Sequence, residues 1–118
     1  MDISLEDKNL AEIWQQIEKV MNEQPKPLHH MSIVYQFELS GVERGTYQLI
    51  IDKGTARVEE GAPLESECTL IMTLEDFKKL IQGTLNSTTA YMMRRLKVEG
   101  SLGLALRLET MLRQYRLS

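Results

Sequence analysis

A single cysteine, two histidines and three prolines in 118 residues leave little material for several kinds of chemistry. Cys68 has no partner for an internal disulfide, which fits a reducing compartment and removes cross-linking as a source of stability. His29 and His30 are adjacent and point in different directions in an extended chain, so with one cysteine they cannot supply the four donors of a zinc site. No run of apolar residues approaches the roughly twenty needed to span a bilayer. The opening stretch MDISLEDKNL carries acids where a secretory signal has a basic and then an apolar segment, which predicts a cytoplasmic protein. A net charge of −3 gives no general attraction to nucleic acid.

Catalytic groups are as scarce. Cys68 lies between Glu67 and Thr69 in a strand-like stretch, where a small buried hydrophobe is the ordinary role. Ser101 sits on a turn between a strand and a helix, the setting of an α/β-hydrolase nucleophile. That elbow needs glycine two positions earlier, where the chain has Glu99, and a histidine later, where none follows Ser101. Ser101 reads instead as a helix N-cap with Gly100 at the turn. No catalytic residue, metal or cofactor is expected.

What the chain does have is periodic apolar patterning without repeats, low-complexity tracts or internal linkers, over a length that suits a single domain, residues 1–118. Leu10, Ile13, Trp14, Ile17, Val20 and Met21 recur at helical spacing, with Ser4 and Asp7 spaced as an N-cap and QPKP as a stop. Met31, Ile33, Tyr35, Phe37 and Leu39 then alternate with mainly polar residues, as do Tyr47, Leu49 and Ile51. TARVEE and ECTLIMT supply a third and a fourth strand, giving a meander of three or four. TLEDFKKLIQG predicts a short helix capped by Thr73 and stopped by Gly83, and LNSTTAYMMRR predicts another. A strand at Leu96 and Val98 and a long last helix complete the order. Such segregation predicts an α+β fold: a largely antiparallel sheet of about five strands with helices covering one face.

The last helix is greasier than docking requires. Leu104, Ala105, Leu108, Met111, Leu112 and Tyr115 form one stripe, while Leu102 and Leu106 fall outside it beside Glu109 and Arg113. That second stripe needs more core, a partner chain or a bound apolar molecule. Met72, Met92, Met93 and Met111, four of the seven methionines, lie in the same half of the chain and suit either an irregular core or a deformable lining for lipid. Charge is uneven as well. Residues 94–118 hold six basic residues against two acids, leaving +4 there and −7 over residues 1–93.

Four short motifs follow one another at compatible spacing: EDF at residues 75–77, LNS at 85–87, AYM at 90–92 and LKVEGSLGLAL from Leu96. In this the chain resembles the sterol carrier protein 2 family over nearly its whole length. It departs from the family pattern at Ser87, Arg94, Arg95, Ser101 and Leu102. The resemblance implies carriage of a lipid rather than a reaction, with sterols, fatty acids and acyl-coenzyme A as the ligand classes.

That reading implies an apolar cavity between sheet and helices; Phe77, Leu80, Ile81, Met92, Met93, Leu102, Leu106 and Met111 are expected to line it, because excess apolar surface concentrates in the later half of the chain, and the last helix is expected to gate it. Arg94, Arg95 and Arg116 are expected to steer the gate to a membrane surface. The alternative is an interaction or accessory module that buries the same surface against a partner; monomer and homodimer both remain open.

Overall fold

The computed structural model describes residue 1 and residues 4–115. Helix α1, Leu10–Glu23, begins at Asn9, whose side-chain oxygen accepts from the Glu12 amide at 2.9 Å while the Glu12 carboxylate accepts from the Asn9 amide at 2.9 Å. This reciprocal cap, five residues beyond the expected one at Ser4, corrects the sequence reading. Both positions satisfy the local cap pattern, but the apolar stripe that anchors the helix starts only at Leu10, and the chain first turns at Asp7 with φ 58°. The stripe buries Leu10, Ile13, Trp14, Ile17 and Met21. A single 3-10 turn, Lys26–Leu28, then leads into the sheet.

The five strands are β1 (Ser32–Ser40), β2 (Gly45–Asp52), β3 (Thr55–Glu60), β4 (Cys68–Thr73) and β5 (Lys97–Gly100), ordered β3-β2-β1-β4-β5. β1, β2 and β3 form an antiparallel meander, and β4 and β5 are antiparallel to each other. β4 does not extend the meander, as the sequence reading allowed, but runs parallel to β1, with Tyr35 beside Cys68 and Phe37 beside Leu70. To reach that place the chain crosses the face of the sheet opposite the helices. Gln48, fully buried there, holds the crossing loop by donating to the Leu64 carbonyl at 2.7 Å and accepting from the Leu64 amide at 3.1 Å. Thus a residue that looks solvent-facing from the strand period is buried.

The other face carries the helices. Helix α2, Leu74–Gln82, is capped by the Thr73 hydroxyl, which accepts from the Asp76 amide, and ends at Gly83 in the left-handed region with φ 78°. Helix α3, Ser87–Met92, is held at its start by Glu109, whose carboxylate accepts from the Ser87 amide at 2.7 Å. Helix α4, Leu102–Arg113, starts at the Ser101 cap. Just before it, Gly100 has φ 98° and lies so near the Glu67 carbonyl that a Cβ would sit 2.6 Å from that oxygen, so only glycine fits. Of α4's docking stripe, Ala105, Leu108, Met111, Leu112 and Tyr115 are buried and Leu104 is half-buried.

Candidate functional site

Between α1, α2 and the sheet lies an aromatic cluster. The Trp14 ring sits 5.0 Å from Phe37, 4.9 Å from Phe77 and 5.5 Å from Tyr47, centroid to centroid. Such packing is favourable, but Trp14 is 1% exposed and its indole N–H has no hydrogen-bond acceptor among the described residues. Tyr115, just beyond α4 and equally buried, has a hydroxyl without a partner among the described residues. An orphaned buried polar group costs about 1–3 kcal/mol, so each of the two calls for a partner.

Of the clefts on the described surface, two border the last helix or the segment leading to it. One, of about 460 Å³, separates the turn after α1 from α4; Lys26, His29, His30 and Arg107 surround it, and Met31 and Met111, both buried, form part of its wall. Its lining includes no carboxylate among the described residues. Arg107 spans from α4 to donate to the His30 carbonyl at 3.1 Å, and His30 itself is held at φ 69°. The other, of about 590 Å³, lies where α3 gives way to β5 and is bordered by Tyr91, Met92, Arg94, Leu96, Lys97 and Val98.

The eight residues expected to line one cavity do not share one surface. Phe77, Leu80, Ile81 and Met111 are buried in the core, and Leu102 is half-buried against it. Leu106 is 38% exposed, and Met92 and Met93 face outward at 76% and 63%. The reason is local. α3 ends at Met92 and the chain swings through Arg94 at φ 63°, so Leu96 enters the core in place of the methionines. Leu96 was not among the expected site residues, nor were Lys26, His29, His30 and Arg107 as a group. The last four come together only through the packing of α4 on the turn after α1.

The three arginines also separate. Arg94 is exposed; Arg95 forms a two-pronged pair with the buried Asp76 carboxylate, engaging it through both Nε and the guanidinium terminus. Its charge is therefore already matched within the protein. Arg116 lies outside the described residues.

Titratable groups in the core point away from reaction chemistry. Tyr35 is fully buried and donates to the Leu104 carbonyl at 2.7 Å, tying β1 to α4; burial chiefly, with smaller effects of Cys68 and Glu67, raises its pKa, while Arg107 opposes the rise. Burial pushes the Cys68 thiol up to about 11, so it stays protonated near neutrality and is a poor nucleophile. Among the described residues no cluster of three or more His, Cys, Asp or Glu is placed to hold a metal ion, and no helix is long and apolar enough to cross a membrane.

This arrangement of sheet, helices and capped turns has known counterparts. The sequence pattern of the SCP-2 sterol transfer family matches residues 14–113. The chain belongs to that family. It is 34% identical over 113 residues to hydroxysteroid dehydrogenase-like protein 2 of Xenopus tropicalis, a match covering 94% of this chain and 26% of the frog protein. The chain thus spans about a quarter of that relative's length. Among solved structures, sterol carrier protein domain 2 of Helicoverpa armigera superposes with a TM-score of 0.76 at 22% identity, covering 100% of this chain and 98% of the other. Palmitated SCP2L2 from Aedes aegypti superposes at 0.68 with 19% identity, covering 94% of this chain and 100% of the other. These structural likenesses establish the α+β fold.

Proposed function

We propose that the chain binds and carries one apolar lipid, such as a fatty acid, fatty acyl-coenzyme A, sterol or isoprenoid, without catalysing a reaction. The observation that carries this reading is a pair of buried donors, Trp14 Nε1–H and the Tyr115 hydroxyl, that have no hydrogen-bond partner among the described residues and lie in a mainly apolar interior. A ligand with a polar end and an apolar body satisfies such donors and fills such an interior. On this reading Phe77, Leu80, Ile81 and Met111, all buried in that interior, are the apolar residues the lipid packs against, with the half-buried Leu102 beside them. Burying about ten methylenes at about 0.8 kcal/mol each contributes about 8 kcal/mol gross, near micromolar affinity before ordering costs. That is tight enough to carry and loose enough to release.

Family membership supports the reading, as does the palmitated neighbour. Entry requires α4 to move. Among the described residues three hydrogen bonds cross from its body to the rest of the chain, from Tyr35 to the Leu104 carbonyl, from Arg107 to the His30 carbonyl and from the Ser87 amide to the Glu109 carboxylate, so α4 works as a gate with few bonds to break. Trp14 is the only tryptophan, and its emission reports on the interior. Saturable change in Trp14 fluorescence on adding palmitate or cholesterol supports binding; an unchanged spectrum with both overturns this location for the ligand.

A second reading, an accessory lipid-handling module of a larger assembly, is favoured by the share of the frog relative that the chain spans. A catalytic partner whose turnover of a lipid substrate rises when this chain is added supports that reading.

A further inference from the structure

The knuckle between α3 and β5 exposes more apolar surface than its neighbours need. Tyr91, Met92 and Met93, consecutive in the chain, are 42%, 76% and 63% exposed. The next residues are not their covering. Arg94 turns away through a left-handed conformation and Leu96 dives into the core. Arg95 is held by Asp76 at the start of α2, which pins the knuckle in place. Arg94 and Lys97 remain exposed and border the same cleft as Tyr91 and Met92, and residues 91–98 contain no acid. The result is three adjacent apolar side chains flanked by two cations that form no ion pair among the described residues.

We propose that this knuckle is the element that docks the protein on an anionic lipid bilayer, with Tyr91, Met92 and Met93 entering the headgroup boundary and Arg94 and Lys97 contacting lipid phosphates and carboxylates. The inference rests on the lipid-carrier reading only for its purpose; the docking surface stands on its own exposure and charge. Unbranched methionines adapt to a disordered acyl boundary, and tyrosine is favoured at the interface between apolar and wet layers. An acidic protein would satisfy the cations alone, whereas a bilayer with anionic lipid satisfies both the charge and the apolar step. Of the arginines expected from the sequence, Arg94 keeps its part, Arg95 is committed to Asp76 and Arg116 lies outside the described residues, while Lys97 enters.

Flotation with vesicles of phosphatidylcholine containing about one third phosphatidylserine tests the assignment. Wild-type protein is expected to bind them, to bind less as salt is raised, and to ignore pure phosphatidylcholine. The variant Met92→Ser/Met93→Ser should lose most binding, and Arg94→Asn/Lys97→Gln should lose about fivefold per cation, asparagine being tolerated at positive φ. Val42→Ser, at a 96% exposed position in the β1–β2 turn, serves as the surface control and should bind as wild type. Wild-type partition by either double variant overturns the proposal, as does a dimer, seen by sedimentation without vesicles, that dissociates in Met92→Ser/Met93→Ser. Palmitate titration by Trp14 fluorescence in the absence of vesicles separates the two claims. Loss of vesicle binding with retained palmitate binding supports the docking surface, and vesicle binding by a protein that takes up no palmitate leaves docking standing while the carrier reading falls.

Discussion

Tyr35 does two jobs at once: its ring fills the centre of the sheet's apolar face, and its hydroxyl reaches the Leu104 carbonyl of α4. Removing only the hydroxyl in Tyr35→Phe should lower unfolding free energy by about 1 kcal/mol in urea titrations. Cys68, beside it in register, makes a different prediction. Burial raises its pKa from 9.0 to about 11, and it raises Tyr115 in the same direction to about 12. A group that holds its proton more tightly when folded contributes fully below its unfolded pKa, and that contribution is lost as pH rises through the folded value. Stability should therefore fall between about pH 9 and pH 11, and Cys68→Val should flatten that stretch of the curve. A profile identical in the variant would show that Cys68 is not the titrating group. Gly100→Ala should cost more than about 1 kcal/mol, since it combines an unfavourable φ with a clash against a backbone oxygen; a chemical melt matching wild type would contradict the close approach.

Elements divide into those whose cause is local and those whose cause is not. The period-two alternation of β1, the Thr73 and Ser101 caps and the Gly83 and Gly100 turns are legible in the sequence because each follows from a few neighbouring residues. The Asn9 cap competes with an equally good pattern at Ser4, and only burial of Leu10 decides between them. The parallel pairing of β4 with β1 has no local signal. It depends on the crossing loop, whose anchor, Gln48, is an ordinary polar residue in an alternating strand. Likewise Met92 and Met93 read as cavity lining because apolar residues concentrate in that half of the chain, while the positive φ at Arg94 that turns them outward is set by the Asp76–Arg95 pair and the burial of Leu96. For α4, gating predicts that amide hydrogen exchange across Leu104 to Tyr115 slows when palmitate is bound, and that Tyr35→Phe speeds it in the free protein. Equal protection in all three states would count against the gate.

Taken whole, the molecule is a mixed sheet whose meander half meets α1 and whose β4–β5 half meets α2 and α4. The family relation fixes that architecture, and the motifs spread from Glu75 to Leu106 made it legible before the strand order was. The site was less legible, because a lining is defined by which side chains converge after packing, and the unsatisfied donors Trp14 and Tyr115 come from opposite ends of the chain. The measurement that bears most directly on the carrier claim is native mass spectrometry of the protein after incubation with palmitate, cholesterol and palmitoyl-coenzyme A together. The account predicts one lipid per monomer, displaced when a competitor is added, with Trp14→Phe/Tyr115→Phe folded but weaker in retention. Bare protein at every lipid concentration, or several loosely held lipids insensitive to the double substitution, would contradict it.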